Sequence, residues 1–459
     1  MSLIKKLIKF IVFVALLYAA GRFVVVFQGS LLTGYRAPYI QMVTSDSVVI
    51  RWLTEDSQLG VVRYGQNREH MPSIMIEGSS TKNHMVRLTN LKPGTRYYYQ
   101  TGRVSGYDNT NIEKQWFYTH PETVTATRIW VIGDSGQPGE TVNQVRDSAL
   151  SWMQDNPIDP GQEPSGETSN TNPLVDIWIS LGDLAYTSGT NAQFQAGLFD
   201  TFGDQLANTA LWPVYGNHDD RRWTYFRVFD LPKNGEAGGV ASKTENYYSI
   251  DYSNVHFVML DSQASDRSKT GKMASWLERD LAENDKPWTV VAFHHPPYTK
   301  GSHDSDETYD SRGRMQDMRG NILPILEQAG VDLVLSGHSH MYERSYLMDC
   351  AYGSSDQFSA VNIVSEGIEG KHKQYKKPLQ PKAHQGTIYT IAGSSSKADI
   401  GPIDHPSHHV GFLEAGSMVI DVVDNKLTAR FINNEGQVRD QFSITKDAEY
   451  TTEYIGCKE

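Results

Sequence analysis

RIWVIGDSG, residues 128–136, decides the fold: an apolar, β-rich run ends abruptly in Gly133 and Asp134. Such a run reads as a buried strand that hands the chain to a loop at its carboxyl end. The same build recurs at VDIWISLGDLAY (175–186), LWPVYGNHD (211–219), WTVVAFHH (288–295) and VDLVLSGHSH (331–340). In open α/β sheets the loops beyond the strands' carboxyl ends converge on one crevice. The five segments can therefore meet at one site, pooling Asp134, Asp183, Tyr186, Asn217, His294, His338 and His340. That set is too large for one tetrahedral zinc and suits two ions of higher coordination.

Charge narrows the kind of ion. Asp134, Asp183 and Tyr186 are potential anions, whereas Asn217 and the three histidines coordinate as neutral groups. A phenol loses its proton near pH 10, so Tyr186 binding as phenolate calls for a strong local positive charge, which a trivalent ion supplies. If that ion takes Asp134, Tyr186 and His340, and a divalent neighbour takes Asn217, His294 and His338, Asp183 is left as the bridge. About two net positive charges then remain, offset by a hydroxide and an anionic substrate, for which phosphate is the obvious candidate.

The series GDxG, GDxxY, GNHD, VxxH and GHxH, in this order from 133 to 340, resembles the purple acid phosphatases of the calcineurin-like metallophosphoesterase superfamily. Most of that superfamily opens with Asp-x-His. This chain instead has Asp134, Ser135, Gly136 and places Tyr186 three residues after Asp183, the purple acid phosphatase pattern, and GHSHMYERS is similar to the family too. Asp219 departs from it, standing where plant and animal members commonly have glutamate. The resemblance implies a ferric ion on Asp134, Tyr186 and His340, a divalent iron, zinc or manganese ion on Asn217, His294 and His338, and Asp183 between them. It implies acid phosphatase activity on small phosphate monoesters, with a metal-bound hydroxide attacking phosphorus. A phosphodiesterase or nucleotidase of the same fold, and an inactive adhesion or binding protein, are the alternatives.

A leaving alkoxide needs a proton, so a histidine beside the ions is wanted as general acid. His218 follows the ligand Asn217, and His303 lies nine residues after His294; His295 is a third candidate. An imidazolium facing phosphate suits an acidic pH optimum.

Around this centre the chain divides. Residues 1–33 read as a signal peptide or a signal anchor: Lys5, Lys6 and Lys9 precede the apolar run Phe10–Gly21, which resumes as FVVVF after Arg22. Both versions place the body outside the cytoplasm, periplasmic or secreted. Residues 35–119 carry short alternating strands such as SVVIRWLT and GVVRYG, an antiparallel sandwich pattern. There LTNLKPGTRYYYQ resembles the tyrosine corner of fibronectin type III modules. The catalytic domain runs over 125–446, with strands alternating with helical stretches such as MASWLERDLAEN and NILPILEQAG, and 447–459 form a tail. The expected fold is α/β (α+β): two packed β-sheets flanked by helices, preceded by an all-β fibronectin type III-like sandwich.

Other features read as plain surface. DNPIDPGQEPSGETSNTNP (155–173) is a flexible insertion, His405, His408 and His409 sit in a rim loop, and the lysines of GKHKQYKKPLQPKAH (370–384) are a solvated patch. A net charge of −12 argues against general nucleic-acid binding. Cys350 and Cys457 are the two cysteines, paired or free.

Overall fold

The computed structural model describes residues 2–107, 112–124, 126–158, 173–221, 223–368, 370, 372–450 and Cys457. Two seven-stranded sheets form the body. The first runs Leu211–Pro213, Ile177–Ser180, Ala126–Ile132, Gly416–Val423, Lys426–Asn433, Val438–Asp447 and Lys373–Pro378. Its three motif strands are parallel. The second runs Tyr248–Tyr252, Val255–Met259, Trp288–Phe293, Leu333–Ser336, Ile388–Ala392, Tyr342–Ser345 and His408–Phe412, with the remaining two motif strands parallel at its centre.

Burial on both faces explains why the motif strands are apolar throughout rather than alternating. Val290, Ala292, Leu333 and Leu335 point inward to a core shared with Trp130, Ile177 and Met418 of the first sheet. Val291, Phe293 and Val334 point outward, onto Trp276 and Leu277 of the helix Lys272–Glu283 and Leu326 of the helix Leu323–Gln328. The period of two thus feeds two apolar layers from one strand.

Before the body stand a three-stranded sheet, Arg36–Gln41, Val48–Gln58 and Thr81–Leu88, and a second sheet built on Gly60–Gly65 and Arg96–Arg103. Tyr97 closes the expected corner: its hydroxyl accepts the Lys92 N–H at 3.0 Å. The N-terminal helix spans Ser2–Ser30.

Two surface readings need correction, and a third is described only at its edges. Lys373–Pro378 is an edge strand pairing in parallel with Val438–Asp447, and Lys377 is buried 2.9 Å from Asp332, which also takes Lys446. A basic run here hides one internal ion cluster, while Lys376 stays exposed and Lys371 lies outside the described residues. His405 is buried against Tyr298, and His408 opens an edge strand rather than a rim loop. Of the expected insertion, Asp155 ends the helix Glu140–Asp155, and 159–172 lie outside the described residues. Cys350 and Cys457 form a disulfide with Cα atoms 5.3 Å apart.

Candidate metal centre

Each motif turns where its strand ends. Asp134, Asp183 and His338 adopt left-handed backbone, with φ of 54°, 54° and 67°. Non-glycine residues hold that conformation only when the surroundings fix it, and it aims the side chain sharply off the strand axis. The turns then interlock: the Asp134 N–H donates to Gly182 O, the Gly337 N–H to His294 O, and the His338 N–H to Asp134 Oδ2 at 2.8 Å. Glycine is required where the backbones touch. A Cβ on Gly216 would strike the Asp183 backbone, and one on Gly337 would strike Asp134 Oδ2.

All seven expected ligands come together. The Tyr186 hydroxyl lies 3.1 Å from Asp183 Oδ2, 3.2 Å from Asp134 Oδ1 and 3.2 Å from His340 Nε2. Beside it, His294 Nε2 is 2.9 Å from Asn217 Oδ1 and 3.6 Å from Asp183 Oδ2. Asp183 Oδ2 therefore faces both groups, while its Oδ1 is occupied by the His218 N–H at 2.8 Å. The ring of His338 sits 4.9 Å from that of His294.

The histidine tautomers follow from their outer partners, since a carbonyl or carboxylate can only accept. His294 donates from Nδ1 to Leu181 O at 2.7 Å, and His340 donates from Nδ1 to Asp399 Oδ2 at 2.6 Å. Neutral, each keeps an Nε2 lone pair aimed into the centre. His338 uses its other nitrogen. Ser311 Oγ donates to Asp310 Oδ1 and so accepts from His338 Nε2–H at 2.6 Å, leaving Nδ1 with the lone pair. Lone pairs thus face lone pairs: one phenolic hydrogen cannot serve three acceptors around Tyr186, and Asn217 Oδ1 faces a nitrogen that is itself an acceptor. Cations resolve such an arrangement, and the hard oxygen donors with imidazole suit iron, zinc or manganese.

The electrostatics agree. Burial, then the charges of Asp183 and Asp134, hold the Tyr186 phenol well above its ordinary value. Burial works to lower His294, yet Asp183 and Asp134 raise it on balance. Burial and then the neighbouring rings of His295 and His303 keep His338 well below the usual histidine value. The carboxylates pull in positive charge wherever they find it.

The three candidate acids separate. His218 donates from Nδ1 to Thr187 O at 2.9 Å, packs at a tilt against Tyr186 and turns Nε2 inward, 3.9 Å from Asp183 Oδ2. His303 is tied through Nδ1 to Asp310 at 2.9 Å and stacks on His338 at 3.9 Å between ring centres. Both are partly exposed. His295 is buried beside His294 and His338 on Ser262 Oγ, its pKa driven well below the ordinary value by burial and then by His294.

Sequence reasoning missed the supporting residues. Asp399 is 59 positions from the His340 it orients, and Asp310 and Ser311 hold His303 and His338 from a loop with no motif. Asp219, noted only as a departure, is buried and accepts the Leu184 N–H at 2.8 Å and the Gly216 N–H at 3.2 Å. It staples the turn bearing Asp183 to the turn bearing Asn217. Burial and the Asp183 charge push its pKa up to about 8.

Comparisons with known proteins fit this geometry. Residues 127–342 match the calcineurin-like phosphoesterase family, and residues 37–120 match the purple acid phosphatase N-terminal domain. Purple acid phosphatase 22 of Arabidopsis thaliana is 28% identical over 371 residues, covering 75% of this chain and 74% of the relative. The structure of purple acid phosphatase PPD1 from yellow lupin (Lupinus luteus) seeds aligns with a TM-score of 0.63 at 17% identity, covering 89% of this chain and 74% of that one. That of PhoD aligns with a TM-score of 0.60 at 14% identity over 91% of this chain and 92% of its own. The last two carry the fold alone. With both parts of the chain matched in order and the motif residues gathered at one centre, this chain belongs to the purple acid phosphatase family of calcineurin-like metallophosphoesterases.

Proposed function

We propose that the protein is an acid phosphatase that hydrolyses small phosphate monoesters at a binuclear metal centre, outside the cytoplasm. Asp134, Tyr186 and His340 would hold a ferric ion, Asn217, His294 and His338 would hold a divalent iron, zinc or manganese ion, and Asp183 would serve both. The observation that carries this reading is the excess of lone pairs around Tyr186 and His294, each fixed by an outer partner. When bound, the ions supply positive charge for the phosphate and acidify the attacking water.

The chain's own groups do the rest. Asp399, Leu181 O and Ser311 hold the imidazoles in their tautomers, and the His218 N–H keeps Asp183 oriented. His218 and His303 are partly exposed and each is held through Nδ1, so Nε2 is the atom each would offer to substrate. Protonated, one of them gives its hydrogen to the departing alkoxide oxygen while the other binds a phosphate oxygen. His295, buried on Ser262, supports the ring of His338 at 4.5 Å and takes no part in proton transfer. The N-terminal helix directs export and, retained, anchors the chain.

Two measurements test this. With the metal-loaded full chain and a chromogenic phosphomonoester, Asp183→Ala lowers turnover about 10³-fold or more, since both ions lose a shared ligand; unchanged turnover contradicts the reading. The proton donor is found by leaving group. Replacing it with asparagine slows an alkyl phosphate by about 10²–10⁴-fold but hardly affects a nitrophenyl phosphate, whose leaving group needs no proton. If neither His218→Asn nor His303→Asn shows that split, the acid lies elsewhere. A matched diester turned over faster than its monoester would move the assignment to a diesterase.

A further inference from the structure

The N-terminal helix is joined to the body in a way that bears on the substrate. Within it Lys5–Ser30 form a 26-residue segment whose most apolar stretch has mean hydropathy 2.4 and is nowhere buried in the protein. Its apolar residues face every direction, from Leu7 and Phe10 to Tyr18 and Val25. About 20 such residues cross a bilayer, and Arg22, two turns from the end, can snorkel to the surface. Lys5, Lys6 and Lys9 at the far end suit the cytoplasmic side.

The last turn is built into the body. Ser30 is fully buried, its Oγ accepts the Trp223 N–H at 3.3 Å, and its carbonyl accepts from Arg227 at 3.0 Å. Asn191 donates to Thr33 O at 3.0 Å, Phe23 packs on Trp223 at 6.1 Å, and the Arg227 guanidinium covers Phe27. A removable leader has no need of such contacts. There is no long tether either, since the first strand begins at Arg36.

These contacts fall on one side of the molecule. Asn191 lies five residues past Tyr186 and Trp223 six past Asn217, so the helix is seated on the same loops that carry the metal centre. Phe23 is about 10 Å along the helix from Ser30 at 1.5 Å per residue, so Trp223, 50% exposed, reaches the depth of lipid headgroups. Two more exposed apolar side chains flank the centre. Tyr309, 94% exposed, precedes the Asp310 that holds His303, and Ile400, 89% exposed, follows the Asp399 that holds His340. Single exposed apolar residues are ordinary. Three such residues, each within six positions of a side chain at the centre or of one that holds it, beside a helix long and apolar enough to cross a membrane, fit the pattern of an interfacial belt.

We infer that the helix is retained, that it holds the catalytic opening against the bilayer, and that the substrate is the phosphomonoester headgroup of a membrane lipid. This rests on the phosphatase reading above. Water adds to phosphorus and the lipid hydroxyl leaves with a proton, giving a neutral lipid alcohol and inorganic phosphate.

The test uses the metal-loaded full chain in phosphatidylcholine vesicles containing phosphatidate, with soluble phenyl phosphate as the parallel substrate. Three results are expected. Mass spectrometry of the membrane-extracted protein retains residues 5–30. Phosphatidate in the same vesicles is hydrolysed. The variant carrying Trp223→Ser, Tyr309→Ser and Ile400→Ser keeps its phenyl phosphate turnover, which also shows that it is folded, but loses about tenfold on phosphatidate. Hydrolysis of phenyl phosphate with vesicle phosphatidate left intact overturns the inference and leaves the phosphatase reading standing. So does a chain cleaved before Ser30, or a triple variant unaffected on lipid. No turnover of either substrate overturns both.

Discussion

At the scale of the residue, the centre depends on groups that never touch substrate. Asp219 is the clearest case. Its carboxylate receives N–H groups from Leu184 and Gly216, so it sets the distance between Asp183 and Asn217. Asp219→Ala leaves two buried N–H groups unpaired, at about 1–3 kcal/mol, and lowers metal affinity by about 10–100-fold. Denaturant unfolding and competition with a chelator read the two effects separately; wild-type affinity would refute the staple. That these seven side chains would gather was legible in the sequence because each stands at or just beyond the abrupt end of an apolar run, where chain reversal and polarity change together. Their supports were not. Asp399, Asp310 and Ser311 lie in loops whose approach to the histidines depends on tertiary packing, and nothing local marks them.

At the scale of the element, the second sheet carries a pH-sensitive joint. His256, on the strand Val255–Met259, donates from Nδ1 to Asp251 at 2.7 Å and from Nε2 to Asp280 of the helix Lys272–Glu283 at 3.0 Å. Burial alone would lower its pKa, but the two carboxylates raise it to about 9. A histidine whose folded value lies above its unfolded one stabilises fully below about pH 6.5, and that contribution is lost as pH climbs through about 9. The upper bound is about 3 kcal/mol, discounted because Asp251 is partly exposed. Stability measured in urea on either side of this window should fall with rising pH, and His256→Gln should flatten the fall; an unchanged slope contradicts the joint. Strand ends and helices were readable from periodicity. The edge strand Lys373–Pro378 was not, because Lys377 becomes an internal partner of Asp332 only through pairing with a strand some 65 residues downstream.

At the scale of the whole molecule, the sandwich, the body and the N-terminal helix meet around the centre rather than hanging from one another. One apolar core runs from Ile40 and Val49 of the sandwich to Trp130 and Phe229 of the body. Arg51 donates to the carbonyls of Arg227 and Val228, and Tyr39 donates to Val228 O, so the sandwich buttresses the segment that follows GNHD. The disulfide closes a separation of 107 residues and ties Cys457 to the second sheet's side of the body; by loop entropy such a link contributes about 4–5 kcal/mol. A sandwich ahead of an α/β body was legible from its alternating strands, but its placement against residues 227–230 was not. That contact is made by residues 143 or more positions apart.

The proposed function requires that the seven side chains gathered at the centre bind two unlike cations. Metal analysis of the purified full chain, taken together with its visible absorption, tests it most directly. Two ions per chain are expected, one of them ferric, with a phenolate-to-iron band that Tyr186→Phe abolishes while the protein stays folded. A single ion per chain, or a colour that survives loss of the Tyr186 hydroxyl, would contradict it.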